Sequence, residues 1–302
     1  MKKKENAPIY KRSKEDIIFN IVCYSVFTIL AFVFAYPLYY LLINTISSNE
    51  KVNLNEVILY PIGINFQNYI NVFKLEKFAS SMMVSFGRTI IGTGLMLFVT
   101  SYTAYLFTKQ EMWGRKVVYR LVISTMYFSA GMIPVYLNLK LLGLLNTFWV
   151  YVIPTAISTY NMILVKTSME AIPESLEESA ELDGAGYFTR YFRIVLPLSK
   201  PILATVGLFT AVNQWNAVFD TKLYIMDSKL HTMQFVLYEY YNQVKAIEDM
   251  IASGEIATGE VTASTLAVRL TMTAVTMIPV ICIYPFVQKF YLKGIMVGAV
   301  KG

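Results

Sequence analysis

Two arginines lie inside long apolar stretches of this chain, where a charged side chain usually has a function. Arg88 and Arg269 each stand near the start of their stretch. Their guanidinium groups suit carboxylates, so together they predict a positive vestibule for an anionic ligand. The alternative is that both side chains extend to lipid headgroups at the membrane surface, which is also how we interpret Arg120.

A run of four residues with polar side-chain groups lies at the end of another apolar stretch. Amide side chains hydrogen-bond hydroxyl groups, and an indole ring stacks on a sugar ring, so these residues predict a sugar contact or an outer gate. Helix-end capping is the alternative. The four residues are Asn213, Gln214, Trp215 and Asn216.

The sequence predicts no catalysis on this chain. Its one histidine, His231, and its two cysteines, Cys23 and Cys282, are too few and too scattered for a metal site. No GxxxxGK[ST] loop is present to cradle ATP. The basic residues are not clustered with aromatic residues, which disfavours a nucleic-acid partner. We therefore expect neither a catalytic residue nor a metal or cofactor here.

The elements that would position these residues are membrane helices. Of the 302 residues, 56% are hydrophobic and only 15% are charged, a composition typical of a multi-pass membrane protein. We predict an all-α fold, with break points at Gly131 and Pro134 in the third span and with Pro154 in the interior of the fourth. The six predicted spans are residues 17–46, 82–108, 117–139, 147–165, 202–219 and 264–286.

Charge sets the orientation of these spans. With residues 1–16 and the tail 287–302 in the cytoplasm, cytoplasmic segments hold sixteen Lys and Arg, and outer loops hold seven. Positive residues gather on the cytoplasmic side, so we predict a bacterial inner (cytoplasmic) membrane protein with both termini inside. The loop 170–201 is then cytoplasmic. The long loop 220–263 is outside, and its apolar residues recur at helical spacing.

The cytoplasmic loop has the pattern of a docking device. Pro173 suits the first turn of a helix, and Gly184 is placed to end it in a left-handed conformation. A second short helix, 187–195, should stop at Pro197. The first helix carries a face of small residues, which lets a helix enter a cleft on a partner protein.

This loop resembles the EAA loop of permease subunits in bacterial ABC importers, with Ser179 in place of the first alanine. The resemblance implies that the loop is the coupling helix that fits a cleft on the ATPase subunit. Glu178 would make a charged contact there, while Ala180 and Gly184 permit close approach. The matching residues are Glu178, Ser179, Ala180, Asp183, Gly184, Ala185, Ile194, Leu196 and Pro197.

The end of the chain is similar to a permease subunit of the maltose-type importers, which finishes in a glycine-rich run with Val-Lys-Gly. In that branch the tail reaches between the two ATPase subunits, and glycines permit the tight turns this needs. A frayed terminus is the alternative. The residues concerned are Gly294, Gly298, Val300, Lys301 and Gly302.

The resemblance implies a lipid-embedded half-pore. Its partners would be a second permease, two ATPase subunits that bind ATP and Mg²⁺, and an extracellular binding protein that delivers an oligosaccharide. Arg88 and Arg269 add the hypothesis that this sugar is anionic. A permease for another solute and a membrane enzyme are alternatives. An ion-coupled secondary transporter is disfavoured, because the predicted spans contain no Asp or Glu.

Overall fold

The computed structural model describes residues 13–253 and 264–299. Throughout these ranges every regular element is helical, which confirms the all-α prediction. The helices are α1 (Lys14–Thr45), α2 (Asn49–Asn53), α3 (Gln67–Phe73), α4 (Phe78–Thr108), α5 (Arg115–Ser124), α6 (Met132–Leu141), α7 (Thr159–Met169), α8 (Glu174–Leu182), α9 (Tyr187–Arg190), α10 (Leu196–Leu198), α11 (Lys200–Asn216), α12 (Phe219–Tyr224), α13 (Met233–Ala252) and α14 (Ser264–Ala299).

The described residues divide into two compact units. One comprises residues 13–69 with 264–274, and the other comprises residues 70–253 with 275–299. In the first unit, α1 begins at a capping box formed by Ser13 and Asp16. Its most apolar stretch is entirely exposed, as expected for a helix that faces lipid.

The core of the second unit lies where α4, α7 and α11 meet. Its buried side chains include Met96, Tyr105, Met162, Tyr191 and Val206. The outer-loop helix predicted from spacing is α13. Its first residue, Met233, is fully buried, and the Met233 amide donates to Ser85 Oγ at 2.8 Å. This helix therefore packs against its own protein.

The predicted spans differ in how the structure forms them. Among the described residues, α1 and α4 are long and apolar enough to cross a membrane. A bent pair of helices, Tyr187–Leu198 and Lys200–Asn216, makes a third span if the pair is counted as one. The third predicted span is broken between α5 and α6, where Gly131 has φ +83°. The fourth is broken before α7, in the segment that contains Pro154. The break at Gly131 was predicted, whereas Pro134 lies within α6, near its start, and does not interrupt it.

The end of the chain departs from the prediction. Helix α14 continues from Ser264 to Ala299, past the expected boundary at residue 286. Gly294 and Gly298 therefore lie within a helix and make no tight turns, because each peptide there follows the helical path. Val300, Lys301 and Gly302 lie outside the described residues.

Candidate functional site

Arg88 is held in a fixed position inside the second unit. Its side chain is 1% exposed, so it does not extend to the lipid headgroups as the alternative interpretation required. Nε and Nη2 donate to Gln214 Oε1 at 3.1 and 2.9 Å. Nη1 donates to Asp220 Oδ1 at 3.2 Å, and Nη2 donates to Oδ2. The carboxylate thus takes both prongs of the guanidinium fork and balances its charge.

An aromatic ring completes the surroundings of Arg88. The guanidinium carbon lies 4.4 Å from the centroid of the Tyr151 ring, a cation–π distance. The Tyr151 hydroxyl lies 3.0 Å from Thr221 Oγ1 and 2.9 Å from the Leu230 carbonyl oxygen. Residues from four parts of the chain therefore fix one cation.

A cavity of about 430 Å³ opens beside this cluster. Arg88, Asn213, Gln214 and Asp220 line it, with further hydroxyl and amide groups. Gln214 Nε2 donates to Thr155 Oγ1 at 2.7 Å, which orients the amide. Such walls offer donors and acceptors to a polyhydroxylated ligand.

The close packing of α4 and α11 depends on Gly92, a residue that was not among the predicted site residues. A Cβ on Gly92 would come within 2.8 Å of Gln214 Nε2, a contact that real Cβ atoms do not make. Gly92 therefore creates the space in which Gln214 reaches Arg88.

The polar residues at the end of α11 have different roles. Asn213 and Gln214 face the cavity. Trp215 is 3% exposed and does not line it; its Nε1 donates to the Thr276 carbonyl at 3.0 Å. Asn216 accepts from Gln234 Nε2 at 3.1 Å. Arg269 belongs to the other compact unit, where its side chain is half-buried.

Asp220 is the site residue that the sequence reasoning missed. It follows α11 and lies in the first turn of the short helix α12, inside the segment we predicted to be an outer loop. The available signal was a carboxylate directly after an apolar stretch that itself carries Gln214. Only the fold shows that this carboxylate meets Arg88.

The predicted docking loop forms a helix with the expected end. Directly after the C-cap of α8, Gly184 has φ +81°, and its amide donates to the Glu181 carbonyl at 2.9 Å. The Ala185 amide donates to the Ala180 carbonyl at 2.9 Å, which completes a Schellman cap. Pro173 stands one position earlier than predicted, as the N-cap.

This loop presents an open surface. Nothing lies within 4 Å of a Cβ built on Gly184. The exposed members of the predicted motif are Glu178, Ser179, Asp183, Gly184 and Pro197, whereas Ala180, Ala185, Ile194 and Leu196 are half-buried.

Pro197 does not stop the second helix, contrary to the prediction. The chain runs through α9, a π-helical turn at Tyr191–Val195 and α10, which contains Pro197. A proline ring conflicts with the carbonyl four residues earlier in an α-helix, and the wider turn before Pro197 removes that conflict. The helix ends one residue later, at Leu198, and α11 leaves at a bend of 80°.

Two ion pairs attach α8 to the rest of the unit. Glu177 Oε2 accepts from the Tyr105 hydroxyl at 3.0 Å and pairs with Lys109, which directly follows α4. Glu181 pairs with Arg190 on α9. Both carboxylates fall outside the predicted motif. Glu177 connects α8 to α4, the long helix that also carries Arg88, and Glu181 connects α8 to α9.

Relatives of known sequence agree with this architecture, although no protein-family model matches the chain. The chain is 36% identical over 266 residues to Protein LplC of Bacillus subtilis (strain 168), which covers 88% of this chain and 89% of that protein. It is 34% identical over 285 residues to the polygalacturonan/rhamnogalacturonan transport system permease protein YtcP of the same organism, with 94% and 99% covered.

Two solved structures share the fold. A chain from the crystal structure of a bacterial ABC transporter involved in the import of the acidic polysaccharide alginate matches with a TM-score of 0.79 and 31% identity, covering 94% of this chain and 100% of that one. A chain from an alginate ABC transporter in complex with alginate pentasaccharide-bound periplasmic protein matches with a TM-score of 0.52 and 17% identity, over 92% and 96% of the two chains.

Apolar helices around a polar cavity define a membrane transport subunit. Its relatives make the assignment more specific: the chain belongs to the permease subunits of ABC importers for sugars and oligosaccharides. The resemblance inferred from the docking loop is thereby confirmed at the level of the family.

Proposed function

We propose that this permease imports an oligosaccharide that carries carboxylate groups. The observation that carries the proposal is a buried arginine, Arg88, in the wall of a cavity that hydroxyl, amide and apolar side chains also line. Two relatives above 30% identity support it, since one is named for polygalacturonan and the other takes part in import of an acidic polysaccharide.

ATP drives this import through separate subunits in our proposal. Helix α8 docks into an ATPase cleft, with Glu178 and Gly184 on its exposed surface. Glu177 passes the movement to Lys109 and Tyr105 at one end of α4. Arg88 lies seventeen residues before Tyr105 on that helix, about 25 Å away at the α-helical rise. A rigid α4 therefore links the docking surface to the cavity.

The assembly proposed here follows the family. A second permease, two ATPase subunits with ATP and Mg²⁺, and an extracellular binding protein complete the importer. The chain crosses the bilayer six times, with both termini in the cytoplasm, and the broken segments count among these crossings. The tail from Gly294 to Gly302 reaches the ATPase subunits, and its described part, as far as Ala299, is the end of α14.

A neutral sugar is the second candidate cargo, and one observation favours it. Asp220 already balances the charge of Arg88, so this pair adds no net charge to the cavity wall. A relative at 27% identity, from Bacillus subtilis (strain 168), is named as the melibiose/raffinose/stachyose import permease protein MelC.

The decisive experiment uses proteoliposomes that contain the assembled importer, internal ATP and external binding protein. Labelled alginate pentasaccharide should enter only when ATP is present, and collapse of proton and sodium gradients should not change its entry. Uptake of raffinose alone would support the neutral cargo. Entry that follows an ion gradient without ATP would contradict the proposal and indicate a secondary transporter.

A further inference from the structure

We propose that Asp220 is an internal counter-ion which a carboxylate of the incoming oligosaccharide replaces at Arg88. This proposal rests on the proposed function, because it requires an anionic sugar. It adds two points to that function: Asp220 excludes neutral sugars, and its replacement at Arg88 admits charged ones.

The positions of the two charges fit an exchange. The Arg88 side chain is 1% exposed, whereas that of Asp220 is 21% exposed, and both border the cavity. A ligand in the cavity therefore meets the carboxylate before it meets the guanidinium. Both prongs of the guanidinium are taken by Asp220, so a second carboxylate binds in the same way only if Asp220 leaves.

Each remaining partner of Arg88 also has a contact that does not involve Asp220 or its neighbour Thr221. Gln214 is oriented by its bond to Thr155, and the Tyr151 hydroxyl by its bond to the Leu230 carbonyl. Arg88 would thus keep its orientation during the exchange and present the same fork to a planar carboxylate.

The segment that carries Asp220 is suited to movement. Helix α11 ends at Asn216, two non-helical residues follow, and Asp220 is the second residue of the six-residue helix α12. An anchor also exists for the released carboxylate, because the Thr221 amide donates to Asp220 Oδ1 at 2.9 Å.

Energetics make the exchange selective. Removal of one partner from a buried ion pair leaves an uncompensated charge, which is strongly unfavourable. Asp220 can therefore leave only when another anion takes its place, and a neutral sugar cannot supply one. Since the pair joins α4 to the α11–α12 junction, its release also frees these two elements to move apart.

The first test compares two forms of one sugar in the complete importer. Alginate pentasaccharide and the same molecule with its carboxyl groups reduced to alcohols are offered to the wild type and to the Arg88→Gln/Asp220→Asn double variant. We expect the wild type to prefer the acid form by at least roughly tenfold, as sites built to pair a polar group do, and the double variant to lose most of that preference. An unchanged preference in the double variant would overturn the exchange, while the proposed function would stand. If the wild type imports neither form, the proposed function fails.

A second measurement covers the case in which the double variant does not transport. With Cys23 and Cys282 changed to Ser, a thiol is introduced by Asp220→Cys and labelled by a negatively charged thiosulfonate reagent. The acid pentasaccharide should slow labelling at this position, and the further change Arg88→Gln should abolish the protection. Asp227→Cys, on an exposed residue of the same loop that does not line the cavity, is the matched control. Protection that persists without Arg88 would overturn the proposal.

Discussion

Arg88 and Asp220 are 132 residues apart in the chain, yet Nη1 and Nη2 of Arg88 donate to Oδ1 and Oδ2 of Asp220. The pair joins the long helix α4 to the start of α12. A buried charge of this kind persists only with its partner in place. The site is therefore a property of the packing between α4 and α11, and substitutions that disturb this packing should affect it from a distance.

Gly92→Ala should displace Gln214 and weaken the importer. The new methyl group would contact the Gln214 amide, so we expect a loss of stability of about 1–3 kcal/mol, as for other overpacked cores. Uptake should fall with it. Thermal unfolding of the purified assembly in detergent measures the first effect.

The matched control is Gly94→Ala, two residues further along the same helix. Nothing lies within 4 Å of a Cβ at this position, and alanine favours a helix over glycine by about 1 kcal/mol. Gly94→Ala should therefore be neutral or stabilising. Equal destabilisation by the two variants would show that contact with Gln214 is not the cause.

Glu177→Gln should uncouple ATP hydrolysis from transport. The change removes the charge that holds Lys109, and a hydrogen bond to a charged group contributes about 1.5–3 kcal/mol. We expect the amount of sugar imported for each ATP hydrolysed to fall by roughly tenfold, the equivalent of about 1.4 kcal/mol. Parallel assays of uptake and phosphate release give this ratio.

Glu174→Gln tests whether the effect is specific. Glu174 is exposed in the first turn of the same helix, and its replacement makes the same change in charge. We expect its coupling ratio to stay near that of the wild type. A similar loss in both variants would point to the charge of α8 as a whole.

Gly184→Trp should abolish transport by excluding the ATPase. The left-handed backbone alone costs a non-glycine residue about 1–2 kcal/mol, but space for the ring is open in the isolated chain. Gly184→Asn supplies the control, because asparagine tolerates this backbone and is small. We expect normal binding-protein affinity in both variants and loss of ATPase co-purification only with tryptophan. Co-purified ATPase at wild-type levels would argue against docking at α8.

His231 should make the stability of the outer segment depend on pH. Burial lowers the pKa of His231 below its usual 6.5, and Lys77 acts in the same direction, while Glu239 and Asp227 oppose them. The unfolded chain then binds a proton at a higher pH than the folded chain does. The contribution of the neutral side chain is therefore complete above pH 6.5 and is lost as the pH falls from 6.5 through the lowered pKa.

The measurement is the melting temperature between pH 7.5 and pH 5.5, for the wild type and for His231→Asn. The wild type should lose stability more steeply on acidification, and the variant should show a smaller slope. Identical slopes would mean that protonation of His231 does not contribute.

Features that depend on neighbouring residues were predictable from the sequence. The left-handed end of α8 needs only Gly184, and the break before α6 needs only Gly131. Helix α13 follows from apolar spacing. The wrong prediction that the helix stops at Pro197 also has a local cause, because the π-helical turn that accommodates this proline is built from the five residues ending at Val195.

The chain's own sequence determined its class: apolar helices, the capped helix α8 with its motif, and the family to which both belong. These follow from composition and short-range backbone preferences, which act over a few residues wherever the chain lies. Tertiary structure alone decided that Arg88 is paired with Asp220, that Glu177 joins α8 to α4, and that Trp215 packs away from the cavity. Such pairings depend on which faces of distant helices meet, and that is settled by packing across the whole unit.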